Sequence, residues 1–175
     1  SIQDPEALKL LVKSLLDRDV RLSLDASALV NYILPLLSGK NVVVTPHAGE
    51  FKKMFGEEPP DSKKARIAMV EKFAKDHSII ILLKGPTDII SNGTKTYVNP
   101  TNTPGMTVGG TGDILSGIIA GMLARNRNAL ESAVISAYFN GLAGKSTQKK
   151  LGPHMAATDL LDALPSVMKS FDKIK

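Results

Sequence analysis

Five residues, Gly109-Gly110-Thr111-Gly112-Asp113, join a stretch that reads as loop to one that reads as helix. Upstream, Asn99 to Thr107 holds two prolines, one glycine and five Asn or Thr residues, the chemistry of a loop. Downstream, Ile114, Leu115, Ile118, Ile119, Met122 and Leu123 recur at helical spacing. The junction must therefore be the first turn of a helix. Its N–H groups lack intrahelical acceptors and lie at the positive end of the helix dipole. Glycines leave them uncovered, so an anion fits there.

Asp113 is out of place in a plain anion site, because a carboxylate repels phosphate. It makes sense as a base that takes the proton from a hydroxyl attacking that phosphate. The plainer alternative is a helix-start acid after an ordinary glycine turn. The same helix carries Asp113, Gly117 and Gly121 four residues apart, and a later segment repeats the spacing with Ala133, Ala137 and Gly141. Small residues in such rows let helices approach closely, so both rows are expected to be packed.

Composition narrows the class. At 175 residues one domain is expected. The 22 Lys and Arg against 17 Asp and Glu leave a net charge of +5, scattered apart from a modest excess near Lys145, Lys149 and Lys150 and in the C-terminal tail. Trp is absent and aromatics are few, so a base-stacking nucleic-acid surface is not expected. The basic bias suits attraction of an anionic substrate. With no cysteine and three scattered histidines, neither a disulfide frame nor a zinc site is expected. No apolar run approaches a membrane span and no signal peptide is visible, so the expected location is cytoplasmic, with no membrane partner. The first residue is Ser1, which suggests a trimmed or cut piece of something longer.

Asp4-Pro5-Glu6 opens a helix whose inner face holds Leu8, Leu11, Val12, Leu15 and Leu16. Val20 to Leu24 reads as a strand ending at Asp25, which is either a ligand-edge acid or a turn residue. Ala26 to Leu37 reads as a helix interrupted at Pro35 and stopped by Gly39. Asn41 to Thr45 is a buried strand, followed by Pro46-His47-Ala48-Gly49-Glu50 and a helix over Phe51 to Phe55. His47 and Glu50 thus fall just past a strand, where α/β enzymes bind ligands.

Gly56 to Pro60 is a turn. Ser62 to His77 is a helix with Ala65, Ala68, Met69 and Phe73 inward. Ser78 to Leu83 is the strongest strand, closed by Lys84-Gly85-Pro86. That lysine either reaches a nucleotide phosphate or is solvated at the sheet edge. Asp88–Ser91 and Thr94–Val98 are strands joined by Asn92-Gly93, the preferred two-residue hairpin turn. Beyond the central helix come a polar turn over 125–128, a helix over Ala129–Lys149, a break at Gly152-Pro153 and a helix over Thr158–Lys169. Its apolar residues are Leu160, Leu161, Leu164, Val167 and Met168. The alternation gives an α/β fold with a mostly parallel sheet.

Several of these stretches are similar to the ATP- or ADP-dependent NAD(P)H-hydrate dehydratases of the ribokinase-like superfamily. They are Thr45-Pro46-His47-Ala48-Gly49-Glu50, Leu83-Lys84-Gly85-Pro86, Asn99-Pro100 through Gly105-Met106 to Gly109-Gly110-Thr111-Gly112-Asp113, and Ala157-Thr158-Asp159-Leu160-Leu161 with Leu164-Pro165. The resemblance implies a ribokinase-like three-layer αβα fold. It also implies repair of hydrated NADH and NADPH: ATP or ADP phosphorylates the added hydroxyl, and phosphate then leaves. By position, Asp113 resembles the base, and Gly110, Thr111 and Gly112 the phosphoryl cradle. Lys84, Gly85, Pro86, Thr87 and Asp88 resemble the nucleotide-binding turn, to which Gly112 adds a contact. His47, Glu50 and Asp113 resemble substrate contacts. Mg²⁺ is expected on the nucleotide phosphates, with no residue identified as its ligand.

The departures are Ala48 for the family's usual Pro, Asp88 for a usual Thr (or that Thr shifted to Thr87), and Asp25-Ala26-Ser27-Ala28-Leu29 where the family tends to carry Asp-Ala-Asp-Ala-Leu. The family also has an N-terminal portion, with a Gly-rich segment and a Tyr-x-Gly-Ala-Pro-like element, that does not occur here. The expectation is that residues 1–175 are the C-terminal part of a single ribokinase-like domain. It would act as a homo-oligomer or with a second chain supplying the missing part. The competing readings are a ribokinase-like kinase of a small alcohol or vitamin precursor and a nucleotide-binding fragment without turnover.

Overall fold

The computed structural model describes residues 4–125 and 128–172. The middle of the expected polar turn, 126–127, and the end of the basic tail, 173–175, lie outside the described residues. Asp4 opens the first helix as its composition requires. Its Oδ1 accepts the N–H groups of Glu6 and Ala7 at 2.9 and 3.3 Å, and α1 runs over Pro5–Leu16. The buried row is Leu8, Val12 and Leu16, one residue per turn. Leu11, expected on that face, is exposed because it falls on the flank of the row.

Strand β1 (Leu22–Leu24) ends at Asp25 as expected. The helix expected over Ala26–Leu37, interrupted at Pro35, does not form in that way. The chain makes 3₁₀ turns at Ala26–Ala28 and Asn31–Ile33, with Val30 extended between them, and then one α turn, α2 (Leu34–Leu37). The break falls at the extended Val30, five residues before Pro35, which sits in the first turn of α2 where its missing N–H is tolerated. Gly39, at φ +71°, turns the chain into β2 (Val42–Val44).

Next come α3 (Ala48–Phe55), α4 (Lys63–His77), β3 (Ile80–Leu83), β4 (Asp88–Ser91) and β5 (Thr96–Asn99). In α4 the inward residues are Val70, Phe73 and Ala74, whereas Ala65 and Ala68 are exposed. Phe73 packs against Phe51 and Phe55 of α3, and these larger side chains set the rotation of the helix. The β4–β5 connection is four residues long, because Ser91 pairs with Thr96. The side chain of Asn92 accepts the N–H groups of Thr94 and Lys95 at 3.1 and 2.8 Å. This Asx-type bonding stands in for backbone and lengthens the expected two-residue turn.

The five strands lie in the order β1-β2-β3-β4-β5. Strands β1, β2 and β3 pair in parallel, and β4 is antiparallel to both its neighbours. Hence β5 runs with β1–β3, and the sheet is mostly parallel in direction. Alternate residues face opposite layers. Val42, Val44, Ile81, Leu83 and Ile89 join α1, α3 and α4, and Val43, Leu82 and Ile90 join the other core. That second layer is α5 (Thr111–Ala124) and α6 (Ala129–Leu151), giving three layers.

A 3₁₀ turn at Gly152–His154 leads to α7 (Ala157–Lys169), which packs on α6 and buries only Leu160 of its apolar set; Leu161 is exposed. The Ala133–Ala137–Gly141 row is packed as expected, but Gly117 and Gly121 face open space. Among the described residues no helix is long and apolar enough to cross a membrane.

Candidate active site at the carboxyl edge of the sheet

The topology collects the chemistry at one edge. Asp25 follows β1, Pro46-His47 follows β2, Lys84 follows β3 and Asn99 closes β5, all at carboxyl ends of strands running the same way. Asp88, first residue of the opposed β4, returns to that edge. The carboxyl edge of such a sheet is where ligands bind in open α/β folds. The Lys84 N–H donates to the Pro46 carbonyl at 2.8 Å, so the His47 loop and the lysine turn are joined by main chain.

Helix α5 presents its N-terminus there because it lies antiparallel to β1. Ser116 and Ser23 share a hydroxyl hydrogen bond of 2.9 Å, and Arg21 Nη1 donates to the Leu123 carbonyl at 2.9 Å farther down. Gly110 sits at the N-cap with φ +95°, a conformation glycine adopts without cost. No side chain caps the helix. Thr111 Oγ1 turns back to donate to the carbonyls of Met106 and Val108, at 2.9 and 3.1 Å, which fixes the approaching loop. Among the described residues the N–H groups of Thr111, Gly112 and Asp113 meet no acceptor within the chain. Asp113 is the third helical residue, exposed, and its carboxylate has no partner among the described residues.

Lys84 faces this turn. A Cβ added to Gly112 would lie 3.2 Å from Lys84 Nζ and 3.5 Å from Asp25 Oδ2. The ammonium bonds Asp25 Oδ1 at 2.8 Å and stands 3.5 Å from Glu50 Oε2. Glu50 is also engaged by His47 in a reciprocal cap of α3. His47 N–H donates to Glu50 Oε2 at 2.8 Å, and Glu50 N–H donates to His47 Nδ1 at 3.2 Å. Their first role is thus structural, but His47 keeps most of its ring exposed at the sheet edge. The structure brings together Asp25, Glu50, Lys84 and the first turn of α5, with His47 joined to them through Glu50.

The other end of the lysine turn is closed. Asp88 is buried, and its carboxylate accepts Gly85 N–H at 3.1 Å, Asn99 Nδ2 at 3.0 Å and Asn102 Nδ2 at 2.8 Å. Asn102 Nδ2 also donates to the Gly85 carbonyl at 2.8 Å. Burial pushes the Asp88 carboxyl up to about 6, against the pull of these donors and the Lys84 charge. Its side chain therefore shapes the turn through Gly85, while the main chain from Lys84 to Thr87 lines the edge. Two asparagines that the site reading left out, Asn99 and Asn102, hold this end of the turn, while Asp25, also left out, holds the Lys84 ammonium. Their signal was weak: polar residues around Pro100 and one acid after a short strand. Asn102 Oδ1 and Thr103 Oγ1 are buried without a hydrogen-bond partner among the described residues.

Among the described residues no cluster of three or more His, Cys, Asp or Glu is placed to hold a metal ion. Asp25 and Glu50 are both turned toward the Lys84 ammonium. The residues present do not make a protein cage for Mg²⁺.

The chain matches the NAD(P)H-hydrate dehydratase family over residues 3–166. It is 63% identical, over 99% of its own length and 61% of the other's, to the ADP-dependent (S)-NAD(P)H-hydrate dehydratase of Nitrosopumilus maritimus. Its fold superposes on the ADP/ATP-dependent NAD(P)H-hydrate dehydratase of Bacillus subtilis, crystallised with ATP and Mg²⁺, with TM-score 0.85 and 29% identity, covering 95% of this chain and 61% of that one. A ribokinase-like superfamily protein of Enterococcus faecalis superposes with TM-score 0.76 and 26% identity, over 98% of this chain and 61% of that one. The chain thus spans about three fifths of the length of these relatives.

Proposed function

From its membership of the NAD(P)H-hydrate dehydratase family and its ribokinase-like fold, we propose that this chain carries the phosphoryl-transfer half of a nucleotide-dependent NAD(P)H-hydrate dehydratase. The observation that carries the reading is the bare first turn of α5 with the Lys84 ammonium beside Gly112. Three unpaired N–H groups, a helix dipole and a lysine converge on one point, and the unpartnered Asp113 stands next to it.

In this reading ADP or ATP lies against the lysine turn, Lys84 to Asp88, with its terminal phosphoryl group at Gly110, Thr111 and Gly112. The substrate is the hydrate of NADH or NADPH, held by His47, Glu50 and Asp113. Asp113 accepts the proton of the hydrate hydroxyl. The freed oxygen bonds to the terminal phosphorus as the bond to the nucleotide's bridging oxygen breaks. The phosphate ester is then a good leaving group; as its C–O bond breaks and a proton leaves the adjacent ring carbon to solvent, the ring double bond forms and the dihydronicotinamide is restored. Mg²⁺ would enter on the nucleotide phosphates and offset their charge. The donor is read as ADP in the first instance, on the strength of the relative in Nitrosopumilus maritimus.

The test supplies hydrated NADH with ADP or ATP and follows the reduced-nicotinamide absorbance alongside free phosphate. Both should rise together. A stable phosphorylated alcohol would indicate a small-alcohol kinase, and nucleotide binding with no product would indicate a binding fragment. Asp113→Asn should lower turnover by about a hundredfold or more while nucleotide affinity stays within about threefold. Full activity in that variant would remove Asp113 from the mechanism.

A further inference from the structure

We propose that Asp25 is a positioning residue: it holds the Lys84 ammonium against the amide cradle at Gly112, and its effect on the reaction passes through that lysine. The inference rests on the reading that this cradle receives the transferred phosphoryl group.

Asp25 is the nearer of two carboxylates around Lys84, at 2.8 Å against 3.5 Å for Glu50. Glu50 is also committed to the His47 N–H, so its position is set by the cap of α3. Asp25 has no such second duty: its side chain makes no cap bond to the turn that follows it. Its other oxygen lies 3.5 Å from where a Gly112 Cβ would stand, so the carboxylate reaches the helix turn as well as the lysine. Only 11% of the Asp25 side chain and 19% of the Lys84 side chain is exposed, which shields the pair from solvent screening.

The backbone supports the placement. Ala26 is held at φ +52°, in the left-handed region that residues with a Cβ rarely occupy. Such conformations persist where the surroundings over-determine them, and they cluster at working sites. This one bends the chain directly after Asp25. The Ser23–Ser116 hydrogen bond ties the strand that carries Asp25 to the helix that carries the cradle.

A free lysine on a four-carbon stem samples many rotamers. With one of its three donors fixed on Asp25, the ammonium keeps two for an arriving phosphate. The carboxylate also limits ground-state attraction for the nucleotide, because it repels phosphate. Asp25 should therefore matter more to turnover than to binding.

The test is a double-mutant cycle between Asp25 and Lys84. Asp25→Asn keeps the shape and removes the charge, and Asp25→Ala serves as the second variant. In either, kcat for ADP-dependent conversion of hydrated NADH is expected to fall about tenfold, with the KM for ADP raised less than about threefold. In a Lys84→Ala background the same Asp25 substitution should change kcat by less than about twofold. An undiminished loss in that background, or a raised KM with unchanged kcat, overturns the proposal. If the protein shows no ADP-dependent turnover, the functional reading fails separately. The positioning role is then judged by the affinity for inorganic phosphate, measured by calorimetry across the same cycle. A loss on Asp25 substitution that disappears in the Lys84→Ala background upholds it, and additive effects overturn it.

Discussion

Helices α5 and α6 carry the same pattern of small residues four apart, and the fold uses the two rows in opposite ways. On α6, Ala133 and Ala137 are fully buried, and Gly141 and Gly144 admit the incoming loop. A Cβ at Gly141 would lie 1.8 Å from Thr101 Oγ1, and one at Gly144 would lie 2.2 Å from Met106 Sδ. On α5, a Cβ at Gly117 or Gly121 would meet nothing within 4 Å. Spacing states that close approach is possible; it does not state that it happens. The buried row matters to the proposed site because it seats Thr101 and Met106, in the loop that leads into the first turn of α5.

Gly141→Ala should break the comparison most sharply. Thr101 cannot yield, since its hydroxyl donates to Asn99 Oδ1 at 2.7 Å and its main chain also lies within 3.1 Å of the new methyl. Overpacking of this kind costs about 1–3 kcal/mol or more, and the gain in helix propensity returns about 1. A net loss of about 2 kcal/mol in urea unfolding is expected. Nucleotide affinity should fall as well, because Asn99 also holds Asp88 and the lysine turn. An unchanged stability would show that the loop is not seated on α6.

Gly144→Ala should cost less. The atom it meets is the thioether of Met106, the far end of a flexible side chain that can repack. A net change of about 1 kcal/mol or less is expected in the same unfolding experiment. The effect should show instead in function. The Met106 carbonyl accepts from Thr111 Oγ1, so displacing Met106 disturbs the cap region of the cradle. Weaker phosphate binding with nearly unchanged stability is the expected signature. A stability loss as large as that of Gly141→Ala would mean that Met106 is as fixed as Thr101.

Much of the site could be read from the chain because strand ends are legible. Val42–Val44 and Ile80–Leu83 are apolar runs, and whatever follows them falls at the ligand edge; His47 and Lys84 were placed that way. The Asp25–Lys84 pair was not legible, since it joins residues 59 apart across two strands. Nor was the burial of Asp88, because a turn acid on the surface and one locked under two asparagines look alike in a linear sequence. On helix α4 Met69 and Phe73 pack inward as expected, but Ala65 and Ala68 were read in place of Val70 and Ala74. The helix over Ala26–Leu37 breaks at Val30, extended at φ −133°, and not at the expected Pro35, which lies within α2.

The open row on α5 gives the smallest effect, and its sign carries the information. A glycine inside a helix costs about 1 kcal/mol relative to alanine, through the freedom it loses on folding. Gly117 has helical neighbours on both sides, a φ outside the left-handed region, and clear space around its missing Cβ. Gly117→Ala should therefore raise unfolding free energy by just under about 1 kcal/mol, with Gly121→Ala behaving alike. Asp113 stands one turn before Gly117, and the added methyl would touch no part of its side chain in this structure. If the variant is instead destabilised, or loses turnover while Asp113 is intact, then another surface meets α5 along that row, and the two helices use their small residues in the same way after all.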